Sequence, residues 1–486
     1  MSTQHKKRSI LYNITALASS QFAGSLIRFM YMLVLARMLG PEQTGVYLYG
    51  VALYLGIINI GLFGQNIFLA QRLGKHAGLL LPILHHSLTL TLTATLIAAA
   101  GLTLFVWITE PEFILRLTVL CFVGAMIGRS MVIWVRGVYI AFERPHWIPQ
   151  YEIFFRGAEA LASVATLCAG GGLLAICFFH FLFWALEAFF SLRKLSCEYP
   201  GALALGYRHD YLKKVARVSL LFLISTTAMA QFSQISVVLL RRLQPDGTIV
   251  GHFGLAMQFM TAMMIIPTAA TQAFLPRLSR SFNHGGGEDL ITAVKLTGIL
   301  TLAGGVIAAA YGPLCISLVL GPNYAETAKI FRYLCSVFMP FAVTIFLGQC
   351  LNVINGQIKA MIITVGMTVT HAVLLAIFAA ESPVIAAVAS MIAATVVCMV
   401  IAMHQVSRQL KLPNNIWWLK FVFLVITIYI IIEIGWASLM ITAPIALMAG
   451  SVLIWLLQFF DSHDIKTIRR LLGVPFKKFC KNSCLR

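Results

Sequence analysis

The sequence predicts an all-α polytopic membrane protein of about 14 transmembrane helices, arranged as two six-helix bundles with two further helices appended. Three observations carry that expectation. Hydrophobic residues make up 59% of the 486-residue chain and charged residues only 11%, too little polar surface to cover a water-facing core. The apolar residues arrive in blocks such as 79–108 and 421–436, and a helix needs about 20 of them to cross about 30 Å of hydrocarbon. A stretch near residue 35 recurs near residue 239, so the chain reads as two related halves.

The first block, from Leu11 to Met38, follows Lys6, Lys7 and Arg8. It is too long for a secretory signal and no small-residue cleavage site follows, so it reads as a retained first span with its basic flank in the cytoplasm. Its centre lies near Gly24. The later spans centre near Ile57, Thr93, Gly124, Ala162, Phe181, Thr227, Ala262, Ala303, Phe341, Thr368, Ala393, Ile428 and Met448.

With the N-terminus inside, alternate turns carry Arg72 and Lys75, Arg144, Arg193 and Lys194, the run from Arg208 to Arg217, Arg277 and Arg280, Lys359, and Arg408 with Lys411. The opposite turns hold Glu42, Glu110, Glu112, Asp246, Glu326 and Glu381, with Arg37, Arg241 and Arg242 as basic exceptions. This asymmetry predicts that both termini are cytoplasmic. It also accounts for the net charge of +19: the basic face meets anionic membrane lipids, and no nucleic-acid partner is expected.

The expected division is residues 1–195 and 196–410 for the two bundles, 411–460 for the appended helices, and 461–486 for a basic cytoplasmic tail. In that tail Ile465, Ile468, Leu471 and Leu472 fall at helical spacing opposite Lys466, Arg469 and Arg470, the pattern of a surface-lying helix. Of the ten cysteines, Cys121, Cys168, Cys177, Cys315, Cys335, Cys350 and Cys398 lie in apolar blocks and read as small buried hydrophobes. Cys480 and Cys484 lack metal-ligand spacing, and neither a disulfide nor a metal is expected.

The recurrence is specific in its polar residues. Leu35-Ala36-Arg37-Met38-Leu39-Gly40-Pro41-Glu42 aligns with Leu239-Leu240-Arg241-Arg242-Leu243-Gln244-Pro245-Asp246, so that Leu, Arg, Leu, Pro and an acid recur in register. Phe68-Leu69 before Arg72-Leu73 is echoed by Phe274-Leu275 before Arg277-Leu278. An even number of spans separates the copies, which makes them parallel repeats about an axis along the membrane normal, facing each other across a central cavity that can open alternately to either side.

The stretch Leu35 to Glu42, followed by Gly45-Val46-Tyr47, resembles the first helix hairpin of the polysaccharide-exporter family, the Wzx-type flippases of the MOP superfamily, to which the MATE transporters also belong. Gly61-Leu62 and Gly321-Pro322-Asn323-Tyr324-Ala325 extend the likeness. The resemblance implies a bacterial inner-membrane translocator of undecaprenyl-pyrophosphate-linked oligosaccharides for O-antigen, capsule or exopolysaccharide, working beside a polymerase and other polysaccharide-assembly proteins.

Arginines inside spans then become the candidate site. Each costs about 2.5 to 3.5 kcal/mol at the bilayer centre on insertion scales, so the deep ones should face a protein or aqueous interior. Arg28 shares a helix face with Gln21 and Ser25, a polar stripe suited to a cavity wall. Arg129 and Arg136, seven residues apart, share a face and form a candidate ladder for phosphate, which a guanidinium fork binds with two hydrogen bonds. Arg156 lies between Glu152 and Glu159, so intrahelical pairing and ligand binding both stand. Arg116 reads as an interfacial, snorkelling residue.

Candidates for ion coupling are Glu159, His180 and Glu187, the last two on one helix face, with His85, His86, His371 and Glu433 in other spans. Glu187 has a second reading, at a cytoplasmic helix end beside Arg193 or Lys194. No cofactor is expected; H+, Na+ or the membrane potential are the candidate driving forces. A multidrug exporter of the same superfamily and a membrane glycosyltransferase or polymerase are the competing readings. Cavity arginines argue against cationic drugs. The absence of a large periplasmic loop, paired carboxylates or a nucleophile constellation argues against an enzyme.

Overall fold

The computed structural model describes residues 2–410 apart from 66–67, 70–79, 143–146, 245–246, 283–286 and 381, together with the isolated positions 423, 444, 448 and 450. The spans expected near Ile428 and Met448, Glu433 and the basic tail with Cys480 and Cys484 lie outside the described residues.

Every described element is helical: α1 (Ser2–Leu62), α2 (Leu80–Thr109), α3 (Phe113–Ala141), α4 (Ile148–Cys168), α5 (Leu173–Glu198), α6 (His209–Leu243), α7 (Gly247–Met263), α8 (Ile265–Phe282), α9 (Gly287–Leu320), a 3₁₀ turn (Pro322–Tyr324), α10 (Ala325–Val353), α11 (Gln357–Phe378) and α12 (Pro383–Gln409). Among the described residues ten helices are long and apolar enough to cross a membrane. The chain is a multi-pass integral membrane protein. Large side chains such as Ile97, Ile108, Phe154, Ile266 and Leu318 point outward, as they must where lipid is the solvent.

Two differences from the expected spans have local causes. The spans centred near Gly24 and Ile57 form the two arms of α1, broken where Gly40 adopts φ 75° and ψ 170° immediately before Pro41. That backbone region is open essentially to glycine alone. Helix α4 is absent from the ten apolar spans because it carries Glu152, Arg156 and Glu159. Its charges are satisfied inside the protein.

Helices α2 to α5 pack together and against α1; α6 to α12 form a second contiguous set. The two groups meet chiefly where α1 runs against α6 and α7. Along this seam Gln231 donates to the carbonyl of Gly56 (3.1 Å), Asn59 to the carbonyl of Thr226 (3.0 Å) and Gln65 to the hydroxyl of Ser219 (2.9 Å).

At the Gly40 end the start of α7, which follows the second recurring stretch, abuts the end of the first stretch and the residues just after it. A methyl group built on Gly45 would strike the carbonyl of Gly247, and one on Gly251 the carbonyl of Pro41, so the backbones approach as only glycine permits. The same end is tied by Tyr324, which donates to the carbonyl of Ala36, by Arg37 on the carbonyl of Val319 (3.0 Å), and by Arg242 on Glu110 (2.7 Å).

The eight described cysteines are free. Cys177, Cys335, Cys350 and Cys398 are buried as expected, whereas Cys168 and Cys315 lie on the exposed surface among other apolar residues.

Candidate functional site

Between the two groups lies a cavity of about 260 Å³. Its first wall is built by the arms of α1 (Ser25, Arg28, Tyr31, Tyr47, Tyr54), by Arg129 of α3, Arg156 and Glu159 of α4, and His180 and Trp184 of α5. The second group contributes only neutral residues, Gln258, Thr261, Ala262 and Ile265.

Behind the first wall runs an unbroken chain of ion pairs. Arg28 binds Glu152 at 2.6 Å; Glu152 binds Arg136 at 3.0 Å; Arg136 binds Glu187 at 2.6 Å; Glu187 binds Arg156 at 2.9 Å. Arg156 then pairs with Glu159, whose second oxygen meets Nδ1 of His180 at 2.6 Å. Four helices supply the members, α1, α3, α4 and α5, so the chain cross-links the first group. Removing charges from water is costly, and a buried pair persists only where further hydrogen bonds complete it. Here each of the three glutamates bridges two partners.

Arg129 stands apart. It donates to the hydroxyl of Tyr54 at 2.6 Å and lies 5.0 Å from the ring centroid of Trp184, with no carboxylate within salt-bridge distance among the described residues. Arg156 sits over the same indole at 3.8 Å. Aromatic faces attract cations without neutralising them. Four guanidiniums thus face three carboxylates, and the excess positive charge resides on Arg129 at the cavity wall.

The expected site residues are distributed as follows. Arg28, Arg129, Arg156 and Ser25 line the cavity, and Arg28 donates to the hydroxyl of Ser25 (3.1 Å) as their shared face requires. The side chain of Gln21 lies outside the described residues. Arg136 is not on the cavity wall: the ladder with Arg129 is interrupted because Arg136 turns to Glu152 and Glu187 instead. Glu159 and His180 line the cavity, and Glu187 lies behind it, fully buried.

The reading of Glu187 beside Arg193 or Lys194 is corrected, since its partners are Arg136 and Arg156 while Lys194 pairs with Glu198 at 2.9 Å. Arg116 is held at the Gly40 end by the carbonyl of Glu110 (2.6 Å) and the ring of Trp107.

His371 is a structural group. Ser390 donates its own proton to the carbonyl of Ala387, so it accepts from Nδ1 of His371, and Nε2 then accepts from Ser236 (both 2.9 Å). Trp184, Tyr54, Gln258 and Thr261 were not singled out from the sequence. The first two carried a usable signal, since aromatic residues inside arginine-bearing helices offer a cation its only apolar seat.

The polysaccharide biosynthesis protein family matches residues 10–282, more than half of the sequence. The chain belongs to this family. No curated protein matches the sequence. Among solved structures, a multidrug resistance MATE family transporter of the MOP superfamily in an inward-facing conformation superimposes with a TM-score of 0.61 at 13% identity, covering 82% of this chain and 100% of that one.

An outward-facing conformation of a transporter of that description gives 0.53 at 14% identity, covering 82% and 96%. A MOP superfamily transporter from Pyrococcus furiosus, whose reversed binding-pocket polarity is said to suggest a different function, gives 0.52 at 15% identity, covering 82% and 96%. The fold is MATE-like.

Proposed function

We propose that this chain is a MOP-superfamily transporter without enzymatic activity, a flippase that carries an undecaprenyl-pyrophosphate-linked oligosaccharide, an O-antigen, capsule or exopolysaccharide unit, from the cytoplasmic to the periplasmic leaflet of a bacterial inner membrane by alternating access. The observation that carries the reading is Arg129, a guanidinium without a carboxylate partner among the described residues, on the wall of a cavity between two helical groups. A doubly charged pyrophosphate fits such a group. The neutral opposite wall, with Gln258 and Thr261, suits a sugar that must be held by hydrogen bonds and released.

On this reading residues 1–195 and 196–410 are the two moving bundles, 411–460 add two helices, both termini are cytoplasmic, and the Gly40 end faces the periplasm. Its closure, together with the better overlay on an inward-facing relative, supports a cavity set to load from the cytoplasm. Anionic lipids line the basic face, and a polymerase and other assembly proteins are the expected partners. An excess guanidinium repels cationic drugs, which disfavours the multidrug-exporter reading that the fold alone would permit.

The test is complementation of a flippase deletion strain by variants expressed at wild-type level. Arg129→Ala and Arg28→Ala should fail to restore the surface polysaccharide; if both restore it fully, the reading is wrong. Transport of a cationic dye by the wild type, with no flipping of a lipid-linked sugar, would favour the exporter instead.

A further inference from the structure

The chain of ion pairs ends on a buried nitrogen without a partner among the described residues. His180 closes the series at Glu159, lines the cavity and is 7% exposed, yet its Nε2 has no hydrogen-bond partner among the described residues. A buried, unpartnered polar atom costs free energy, and few persist without a reason. Because Glu159 also accepts from Arg156, it receives the Nδ1 proton of His180, which leaves Nε2 as the free lone pair of the ring.

We propose that His180 is a proton-binding position on the cavity wall, and that a proton on Nε2 and an anion in the cavity bind each other cooperatively. The inference rests on the reading that the cavity takes a phosphate group. With His180 neutral, the six charged members of the chain cancel in pairs and Arg129 alone is uncompensated. A proton taken up from water at Nε2 converts the ring to imidazolium and adds a second positive charge to the same wall, between Trp184 and the tyrosines.

The groups facing His180 come from every element around it. In contact with it are Glu159 of α4, Tyr47 and Tyr54 of the second arm of α1, Phe122 of α3 and Trp184 of α5; one contact further out are Arg156 on Glu159, Glu187 on Arg156, Arg129 on Trp184, and Tyr31 of the first arm beside Glu159 and Cys177. Of these, Glu159 is the anion in direct contact, so an imidazolium there keeps a partner on Nδ1 while its added charge raises the attraction of this wall for an anion in the cavity. Linkage makes the effect reciprocal: whatever proton occupancy adds to anion affinity, the anion adds to proton affinity.

The test uses the full chain in nanodiscs and a soluble probe, dimethyl pyrophosphate, whose two phosphates each carry one strongly acidic proton and so keep their charge throughout. Binding is measured by calorimetry from about pH 8 to about pH 5, the window in which imidazoles change charge. Wild-type affinity should rise on the order of tenfold, within the usual range of coupling between two sites. That pH dependence should vanish in His180→Gln and persist in His86→Gln. A flat wild-type profile, or pH dependence that survives His180→Gln, overturns the proposal.

A second readout needs no anion: the carbon-13 ring signal of His180, identified by its loss in His180→Gln or, should that variant not fold, in His180→Asn. A signal that moves through the window supports the proton site, and one that does not overturns it. Absence of probe binding by the wild type at every pH, with a titrating signal, removes the phosphate reading and the cooperativity while leaving the proton site.

Discussion

Arg242, in the last turn of α6, holds Glu110, the residue that follows α2, at 2.7 Å across the seam between the two helical groups. Tyr49 donates to the same carboxylate at 2.6 Å, Arg242 also donates to Tyr49 and to the carbonyl of Thr109 (2.9 Å each), and Glu110 is only 4% exposed. Arg37, Arg241 and Arg242 are the basic residues that break the charge asymmetry of this side of the chain. The geometry gives Arg242 a reason to be there: it latches the Gly40 end.

Opening that end requires the latch to break. Glu110→Gln should therefore raise labelling of a cavity cysteine, Gln258→Cys, by a membrane-impermeant maleimide added from the Gly40 side, severalfold above the native-cysteine background. The exchange Glu110→Arg with Arg242→Glu should return it toward the wild-type level. Equal labelling in all three proteins would remove the latch from the account.

Glu187 and Arg129 should respond to substitution in opposite ways. Glu187→Gln leaves Arg136 and Arg156 facing each other in a buried site, and breaking one partner of such a pair costs about 3–5 kcal/mol. The variant should melt well below the wild type in detergent. Arg129→Gln loses one hydrogen bond and two cation–aromatic contacts, with Tyr54 and Trp184, about 1 kcal/mol each. It should fold and express nearly as well as the wild type while losing transport, a contrast read by thermal melting beside complementation.

The two kinds of glycine at the Gly40 end should also separate. Gly40→Ala meets nothing within 4 Å, so its cost is backbone strain alone, about 1–3 kcal/mol. Gly45→Ala drives a methyl group into the Gly247 backbone of the other group, which cannot yield as a side chain would. Gly45→Ala should therefore impair closure as well as stability, seen as raised outer labelling of Gln258→Cys, whereas Gly40→Ala should lower the melting temperature without that increase.

A pyrophosphate moving outward from the negative cytoplasm gains about 2.3 kcal/mol per charge per 100 mV. Flipping of a lipid-linked sugar in proteoliposomes should accelerate under an imposed potential of that sign and slow when it is collapsed. Flipping that ignores the potential but follows a proton or sodium gradient would overturn a potential-driven cycle.

What could be read from the chain and what could not divides along physical lines. Long apolar blocks report helices directly, because lipid leaves the backbone no other way to satisfy itself. The Gly40-Pro41 break was legible for a similar local reason. Arg28 and Glu152, by contrast, are 124 residues apart, and nothing in either neighbourhood names the other. Glu187 was drawn toward Arg193 and Lys194 because they are near in sequence, whereas the fold offers it Arg136 and Arg156, which lie in the same low-dielectric layer.

Spacing placed Arg129 and Arg136 on one face correctly in the sense of angle. It could not tell that about 10 Å of rise along the helix carries the second from the cavity into a cluster of acids. Arg156 was left between two readings, and it takes part in both: it pairs with Glu159 and still lines the cavity.

The Ser236–His371–Ser390 cluster gives the second group a neutral heart, while the first is riveted by seven side chains from four helices. Such unequal bracing makes one half a strut and the other a lever. On the flippase reading, any change of shape during the cycle falls to α6–α12, while the charged half moves as a rigid unit.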